Sequence, residues 1–399
     1  MPGSISTLRV AGIPGGYPAE IDANVKIRWV DNLLINMSER STDLLKYLGG
    51  PTQFTFNNPK VEWVEDDVWG RRPTHTGLLA AGTTALVVTA QAHRYPVGTL
   101  LMNCTNGTGE IVRVTAIADA NTLTIVRDAP GTAVAAAWAA TDEVIVAGFA
   151  MSEDDDWVFR PSAILGLPYN YAQVHSVGVQ VTFRRQSLGL YGLRGTDLDY
   201  QSANTVAEQF VAMEEELVHG YRYVGSAATK PALMGGLEFY ITAANGAEVA
   251  SLAGAALTRK DIDDRLQNLF YKVGPEKMAR TLLVSAWGKR KISNFWSTAE
   301  RLNAPSPNTA GVVIDAINTD FGRVDVLMHT AIAKNTMFLL NRDLIKMGNF
   351  EGLGRPHLLQ LAAPSATGPR IQRAFYADLS CMVKGVEGMG QITHISVTT

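Results

Sequence analysis

The chain has little cysteine and no long apolar run. Only Cys104 and Cys381 occur among its 399 residues, and their separation fits neither a zinc site nor a redox pair. We interpret both as small buried or half-buried residues in a reducing compartment. Because no apolar stretch approaches the ~20 residues of a membrane helix and no charged-then-apolar leader begins the chain, we expect neither membrane insertion nor export.

Charge is scarce as well. Charged residues make up 18% of the sequence, which is below the ~25% typical of soluble domains. A chain that buries much of its surface against partners needs fewer solvating charges, so this composition favours an assembly subunit over a free monomer. The formal net charge of -3 argues against a basic nucleic-acid-binding protein, and it lets many copies pack without accumulating repulsion.

Motifs for catalysis and metal binding are missing too. The sequence has no Walker loop, no G-x-S-x-G elbow, no H-E-x-x-H and no paired C-x-x-C. The glycines of residues 385–390 lack a following helix, so we interpret them as a turn instead of a phosphate cradle. The acidic run of residues 153–156 could bind calcium but lacks the spacing of a known loop, and we prefer a solvated turn. Since the seven histidines are scattered singly, we expect no catalytic, cofactor or metal site.

The sequence divides into segments that differ in composition and periodicity. Residues 1–50 contain an arm punctuated by glycine and proline, then a short helix over Ser38–Leu48. Residues 52–68 alternate with a period of two, as in a half-exposed hairpin arm. From about residue 74 to 150, charge falls and strand candidates alternate with turns, which predicts a small all-β module inserted in the arm. The strand candidates are Leu86–Thr89, Thr99–Met102, Glu110–Ala116, Leu123–Arg127 and Glu143–Ala147.

A long amphipathic helix is predicted over Ser202–Arg222. Its apolar residues recur every three or four positions on one face, which we expect to pack on C-terminal strands of the same chain. That face consists of Val206, Phe210, Met213, Leu217 and Tyr221, with Glu208, Glu214, Glu215 and Glu216 on other faces. In the remaining sequence, helix patterns alternate with strand patterns as in an α/β domain. The predicted helices begin near Thr258 and before Ile292. Its predicted strands are Leu237–Ile241, Thr281–Ser285, Val312–Ile317, Arg323–His329, Thr336–Leu340, Leu358–Ala362, Arg373–Leu379 and Ile392–Val397.

Three stretches carry a family resemblance. Val61–Asp66 resembles the apolar-Glu-Trp-apolar-acidic signature of an E-loop strand. Asp197–Gln201, leading into Met213–Gly220, resembles a spine helix with its glycine stop. Phe321–Val326 and Met337–Arg342 resemble a late strand pair. In this order they resemble the tailed-bacteriophage major capsid proteins of the Hong Kong 97-type fold, in the subgroup whose E-loop carries an inserted β module.

The resemblance implies an α+β fold with the parts that this family has. In chain order they are the N-arm with a short helix (1–50), the E-loop (51–190) containing the small all-β module (74–150), the peripheral domain with its long spine helix (191–235), the axial domain (236–350) and the C-terminal strands that return to the peripheral domain (351–399).

The resemblance also implies a function. The chain would be a structural head protein that assembles into the hexamers and pentamers of an icosahedral shell around double-stranded DNA, without sequence-specific contact. Its partners would be copies of itself, a portal, and separate scaffold and cement proteins. No enzymatic activity, cofactor or membrane is implied. The protein would be located in the virion capsid after assembly in the host cytoplasm.

Candidate interface residues lie on the hairpin arm. Because the arm has too little core to be stable alone, we expect it to lie across a neighbouring subunit. The tryptophan would be buried there, and the charged residues would form inter-subunit ion pairs. The predicted subunit-interface residues are Trp63, Glu62, Glu65, Asp66, Arg71 and Arg72.

Three alternative classes stay open. An encapsulin-type nanocompartment subunit shares the fold, but the inserted module and the acidic hairpin with its tryptophan favour the phage protein. A secreted carbohydrate-binding or adhesin protein would explain a β module rich in Thr and Ala, but not the central α/β part or the missing leader. A hydrolase would need a nucleophile motif that the sequence lacks.

Overall fold

A computed structural model gives the structure of the chain. It describes residues 42–66, 72–73, 75–88, 92–105, 109–129, 131, 137–140, 142–151, 153, 166–187, 196–226, 229–295, 316–352, 354–361 and 369–397. The predicted N-terminal arm and the first residues of the short helix lie outside these ranges.

Several sheets and few helices make up the described residues, in agreement with a mixed α and β fold. The helices are α1 (Asp43–Leu48), α2 (Phe183–Ser187), α3 (Asp197–His219), α4 (Leu237–Tyr240), α5 (Arg259–Val273) and α6 (Ala286–Asn294). The strands are β1 (Phe54–Phe56), β2 (Lys60–Glu62), β3 (Ala85–Val87), β4 (Thr99–Asn103), β5 (Ile111–Ile117), β6 (Thr122–Val126), β7 (Val144–Phe149), β8 (Tyr169–Tyr171), β9 (Gln173–Thr182), β10 (Glu248–Ser251), β11 (Thr281–Val284), β12 (Ala316–Thr319), β13 (Gly322–Met328), β14 (Met337–Leu340), β15 (Ile345–Phe350), β16 (His357–Gln360), β17 (Arg370–Val383) and β18 (Gly390–Thr393). None of these helices combines the length and apolar character that crossing a membrane requires.

The body sheet is a five-stranded sheet built on the long strand β17. β17 pairs antiparallel with β9 on one side and with β15 and β16 on the other, and β1 adds to β15 in parallel. Helix α3 lies on this sheet with its Met213 and Leu217 fully buried. The Phe210 ring meets the Phe375 ring of β17 edge-on, with centroids 6.2 Å apart. The prediction that this helix packs on C-terminal strands of its own chain is confirmed.

Helix α3 starts at Asp197, ahead of the predicted Ser202, because a cap lies upstream. Thr196 has extended dihedrals, and its side chain accepts the Asp199 backbone N–H. A threonine in this position satisfies one of the first helical N–H groups, which have no partner inside the helix. The capping threonine and not the first apolar residue therefore sets the start of this helix.

Helix α3 ends at His219, three residues before the predicted Arg222. Gly220 leaves the helical dihedrals where the chain crosses another segment so closely that a Cβ there would lie 2.4 Å from the Met234 carbonyl oxygen. Tyr221, which we had assigned to the apolar face, therefore lies beyond the helix and is 68% exposed.

A six-stranded sheet, the axial sheet, forms a second core with α5 and α6. Its strand order is β10-β18-β14-β11-β13-β12. The helix predicted near Thr258 is confirmed as α5, which begins with a capping box between Thr258 and Asp261. Residues 351–399 return to the body sheet through β16 and β17, and their last strand, β18, then joins the axial sheet.

Some element predictions were wrong. Leu237–Ile241 was predicted as a strand but forms α4, because an apolar run this short does not distinguish a period of two from one of 3.6. β10 and β15 were not predicted; the Gly and Asn within β15 break the expected alternation. Of the predicted strand Val312–Ile317, only the last two residues lie in the described part of the chain, where they belong to β12.

The module sheet is a second five-stranded sheet, with the order β3-β6-β5-β4-β7. Its strands coincide with the five predicted candidates to within a few residues, and aliphatic side chains form a separate core around Trp138. The fully buried Glu110 accepts hydrogen bonds from Arg127 (Nε and Nη2, both 2.6 Å) and from the Trp138 indole N–H (2.9 Å). These donors compensate the buried carboxylate.

The two cysteines differ in their environment. Cys381 is fully buried as predicted, and burial raises the pKa of its thiol to about 12. Cys104 follows β4 and is exposed, so its interpretation as a buried or half-buried residue was wrong. A residue just past a strand end lacks the neighbours that cover positions inside the strand.

Candidate subunit interface

The hairpin arm begins as a two-stranded ladder, the stalk hairpin (residues 60–66 and 166–171). β2 pairs antiparallel with β8, and the ladder continues to a bridge between Glu65 and Gly166. Successive side chains of a strand point to opposite faces. Trp63 is therefore buried on the inward face, whereas Val64 on the outward face is 57% exposed.

Trp63 and Glu65 anchor the stalk hairpin in the core of their own chain. The Trp63 indole N–H donates to Glu65 Oε1 at 3.0 Å, and the same oxygen accepts the Gly385 N–H at 2.8 Å. The Trp63 and Tyr240 ring centroids are 5.9 Å apart, and Trp63 is only 4% exposed. This corrects the expectation that a neighbouring subunit buries Trp63, because its own chain already does so.

Two further predicted residues, Glu62 and Asp66, lie exposed on the stalk hairpin. Glu62 forms an ion pair with Lys60, and this hydrogen bond raises the pKa of the lysine. No ion pair is found for Asp66 within the described ranges. Arg71 lies outside the described residues. A contact of Glu62, Asp66 or Arg71 with another subunit stays a prediction.

Arg72, the remaining predicted residue, connects the module sheet to α5, the helix that packs on the axial sheet of the same chain. It forms an ion pair with Glu143, and its guanidinium carbon lies 3.8 Å from the centre of the Tyr271 ring in α5. A second contact between these two parts joins Arg94 Nη2 to Glu387 Oε1 at 3.3 Å. Arg72 and Arg94 thus hold the module sheet against the residues that surround the axial sheet in the same subunit. An inter-subunit role for Arg72 stays a prediction.

Asn170 fixes the stalk hairpin from inside, and sequence reasoning missed it. Its side-chain amide donates to the carbonyls of Gly235 (3.0 Å) and Cys381 (2.9 Å), while its carbonyl oxygen accepts the Gly235 N–H (2.8 Å). Asn170 is fully buried, so losing one of these partners would leave a polar group unsatisfied. A single amide therefore joins the stalk hairpin to β17 and to the segment before α4.

Arg222 holds the outward side of the same junction. Its Nη1 donates to the Tyr169 carbonyl at 2.9 Å, and its guanidinium carbon lies 4.0 Å from the centre of the Tyr169 ring. The Tyr240 hydroxyl donates to the same carbonyl at 2.7 Å. The stalk hairpin is consequently tied to the end of α3 as well as to the body sheet.

Three histidine–glutamate pairs, the helix-end pairs, surround the last two turns of α3. Each brings the helix next to a different part of the chain, namely the residue after β13, β9 and α4, and of the three pairs His219 with Glu238 is the one with hydrogen-bond geometry. The pairs are Glu214 with His329 (Oε2 to Nε2, 3.5 Å), Glu216 with His175 (Oε2 to Nε2, 3.2 Å) and His219 with Glu238 (Nδ1 to Oε2, 2.8 Å).

Glu214, which was assigned to a face other than the apolar one, lies in the core. The residue is fully buried, and its Oε1 accepts the Leu45 N–H of α1 at 2.9 Å. The carboxylate thus ties α3 to α1 and lies beside His329, which follows β13.

Burial makes the middle helix-end pair sensitive to pH. Desolvation raises the pKa of Glu216 to about 7, and it lowers the pKa of His175 because the imidazolium loses its hydration. At His219 burial opposes the charged form, but the hydrogen bonds to Glu238 and to the Ala331 carbonyl, together with the charges of Glu238 and Glu215, outweigh it and raise the pKa. Glu216 therefore changes its charge near neutral pH, inside the contact between α3 and β9.

A metal or nucleotide site finds no support among the described residues. They contain no group of three or more His, Cys, Asp or Glu that could hold a metal ion. Of the acidic run, Glu153 is described and residues 154–156 are not. Residues 386–388 form a single helical turn that leads into β18, which confirms the turn interpretation of these glycines.

Comparison with known proteins identifies the family. The family model of the SU10 major capsid protein matches residues 19–396. Among curated proteins, no match is found. The capsid protein of cyanophage A-1(L) is similar in structure, with a TM-score of 0.52 and 12% identity over 94% of this chain and 98% of that chain. The capsid protein of a native GTA particle has a TM-score of 0.50 and 10% identity over 96% of this chain and 100% of that chain.

These likenesses establish a Hong Kong 97-like fold. An encapsulin from Synechococcus elongatus has a TM-score of 0.41 over 59% of this chain and 78% of that chain, at 11% identity. That score is too low to support the nanocompartment alternative. With a family match that spans most of its length, the chain belongs to the SU10 major capsid protein family and is a structural subunit of a phage capsid.

Proposed function

We propose that copies of this chain form the hexamers and pentamers of an icosahedral head that encloses double-stranded DNA. The stalk hairpin carries this proposal, because its inward face is anchored in the body while its outward face exposes two adjacent apolar side chains. Val64 and Leu167 lie opposite each other on that outward face and are 57% and 59% exposed. Adjacent exposed apolar side chains are typical of a surface that a partner covers.

The separate cores support the domain roles that the family resemblance implies. Residues 191–235 act as the peripheral domain with α3 as its spine helix, and residues 236–350 act as the axial domain. Residues 51–190 act as the E-loop, in which residues 74–150 form the inserted module. Residues 1–50 form the N-arm, and residues 351–399 connect the two main sheets. A module with its own core adds contacts without setting the geometry of the shell.

The outward face of the stalk hairpin is the surface that meets a neighbouring copy. Val64 and Leu167 supply apolar contact, and the exposed Glu62 and Asp66 beside them supply charge for basic residues of the neighbour. The packaged DNA is contacted without sequence specificity. The other partners are a portal and separate scaffold and cement proteins, and assembly takes place in the host cytoplasm.

Electron microscopy of the purified protein tests this proposal. The parent chain, with a scaffold protein where one is needed, is expected to give closed particles with icosahedral outlines. Val64→Lys with Leu167→Lys is expected to leave the subunit folded, because both positions are exposed, but to reduce the particle yield by tenfold or more. Val64→Ile with Leu167→Met, which keeps both positions apolar, is the matched control.

Circular dichroism of unassembled subunits separates folding from assembly in these variants. A folded lysine variant that assembles as well as the parent would show that this face is not an interface. A parent chain that forms no particles under any assembly condition would contradict the proposed shell.

A further inference from the structure

One edge of the module sheet is open within the described part of the chain. β7 is the last strand of this sheet, and β4 is its only described partner. The opposite edge, β3, is extended by the Thr76 N–H, which donates to the Val87 carbonyl at 3.0 Å, and by a bridge between His75 and Val88. Among the described residues, one edge of this sheet is therefore covered and the other has no strand paired to it.

The backbone groups at the open edge can be assigned residue by residue. The Cys104 N–H donates to the Glu143 carbonyl at 2.9 Å, so the polar groups of residue 143 face β4. The direction of these groups alternates along a strand. Those of Ile145 consequently face β4, whereas those of Val144 and Val146 face away from the sheet. Two N–H groups and two carbonyls thus lie at the open edge.

The sequence of β7 does not protect this edge. Natural edge strands are blunted by charge, proline or bulges, but residues 144–149 contain neither a charged residue nor proline. A register shift between β4 and β7 places a bulge at Ala147, so the regular edge spans residues 144–146. Ile145 lies opposite Met102, so the outward sheet face beside the edge is apolar.

We propose that β7 pairs antiparallel with β7 of a second copy of this chain, about a two-fold axis at Ile145. An antiparallel edge is complementary to itself under a two-fold rotation, so one segment supplies both halves of the contact. Val144 lies opposite Val146 of the partner subunit, and the two copies exchange about four backbone hydrogen bonds. The pairing rests on the proposed function, because it requires a shell in which copies meet across two-fold axes.

Charge and concentration favour a second copy over a strand of another protein. Two identical segments without charge approach each other without the repulsion that opposes like charges in facing strands. The flanking Glu143 is neutralised by Arg72 of its own chain. A shell of many copies also holds these edges at high local concentration, which favours pairing through a short segment.

Cysteine cross-linking in assembled particles tests the pairing. A residue that faces itself in a non-hydrogen-bonded antiparallel position has a Cα separation of ~4.5 Å, within the range of a disulfide. Ile145→Cys, in a Cys104→Ser background that removes the exposed thiol, is expected to give disulfide-linked dimers after oxidation with diamide. Val87→Cys, which is 41% exposed on the covered edge, is the matched control and is expected to stay monomeric.

Amide exchange gives a second measurement that needs no substitution. The amides of Val144 and Val146 are expected to exchange slowly in particles and rapidly in the unassembled chain. Particles in which Ile145→Cys stays monomeric and these amides gain no protection would overturn the pairing and leave the proposed function intact. Slow exchange of these amides that appears only when a second protein is added to the particles would also overturn the pairing. A parent chain that never forms particles would contradict the proposed function and the pairing together.

Discussion

The body sheet and the module sheet both contain five strands, but they depend on their surroundings differently. The body sheet is covered by α3, which also contacts it through Glu216 and His175 of β9. The module sheet fills its own core and contacts the axial part through side chains such as Arg94, 3.3 Å from Glu387. The difference indicates that the body sheet depends on α3 for its cover, whereas the module sheet carries a core of its own.

Trp63→Ala should have the largest effect, because Trp63 joins the stalk hairpin to the core of the body. Truncating a buried tryptophan costs about 3–5 kcal/mol of unfolding free energy. Glu65 also loses the hydrogen bond that the Trp63 indole donates to it. We expect a destabilised subunit and no particles. Urea unfolding measures the loss, with Val64→Ala on the outward face as the control. Equal unfolding midpoints for the two variants would show that the hairpin is not anchored by this residue.

Arg127→Met should destabilise the module and leave the body intact. It removes the partner of the fully buried Glu110, and breaking a buried ion pair from one side costs about 3–5 kcal/mol. The double variant Glu110→Gln with Arg127→Met removes both charges, keeps an acceptor for Trp138 and should recover most of the loss. Limited proteolysis locates the damage. Cleavage in the body sheet before the module would contradict the independence of the two cores.

Replacing residues 76–149 with a short Gly/Ser linker should have a smaller effect on the assembled shell. Because the module has its own core, the body can fold without it, and closed particles are expected. Their melting temperature should fall by several degrees as contacts between copies are lost. Scanning calorimetry of particles measures this change. Soluble monomers alone would mean that the module is part of the required subunit shape, and unchanged melting would mean that it adds no contacts.

The periodicity of the apolar residues and the positions of turn-forming residues made much of the fold predictable from the sequence. The module strands were found because Val and Ile alternate between clear turn signals, and α3 was found from its apolar face. Phe210 was expected to be buried but is only half-buried, so Phe210→Ala should cost about 2 kcal/mol, below the range for a fully buried phenylalanine. A helical face predicts which side is apolar but not how completely a sheet covers it.

The polar residues of the junction were not predictable in the same way. Asn170 and Arg222 each act through partners more than 50 positions away, and no local pattern records such a contact. Trp63 was predicted to be buried, but its burying partner was assigned to the wrong molecule. A single polar residue at an inward strand position, as at Asn170 and His175, was the available signal, because such a residue requires a buried partner.

Glu216 gives the smallest and most specific test, because it probes the contact between body sheet and helix through pH. Its pKa in the folded subunit is raised from 4.5 to about 7, so the folded state holds a proton that the unfolded state releases between these values. The stability that this group contributes is therefore full below pH ~4.5 and is lost as pH rises through ~7.

Glu216→Gln removes this loss and should raise stability at pH 8 by about 1–2 kcal/mol after discounting for solvent access, with little change at pH 4.5. His175, whose pKa is lowered by burial, acts with the opposite sign. Glu208→Gln, which neutralises an exposed carboxylate elsewhere on the same helix, is the control. Melting temperatures of unassembled subunits measure the difference, and a gain that is equal at both pH values would show that folding does not raise the pKa of Glu216.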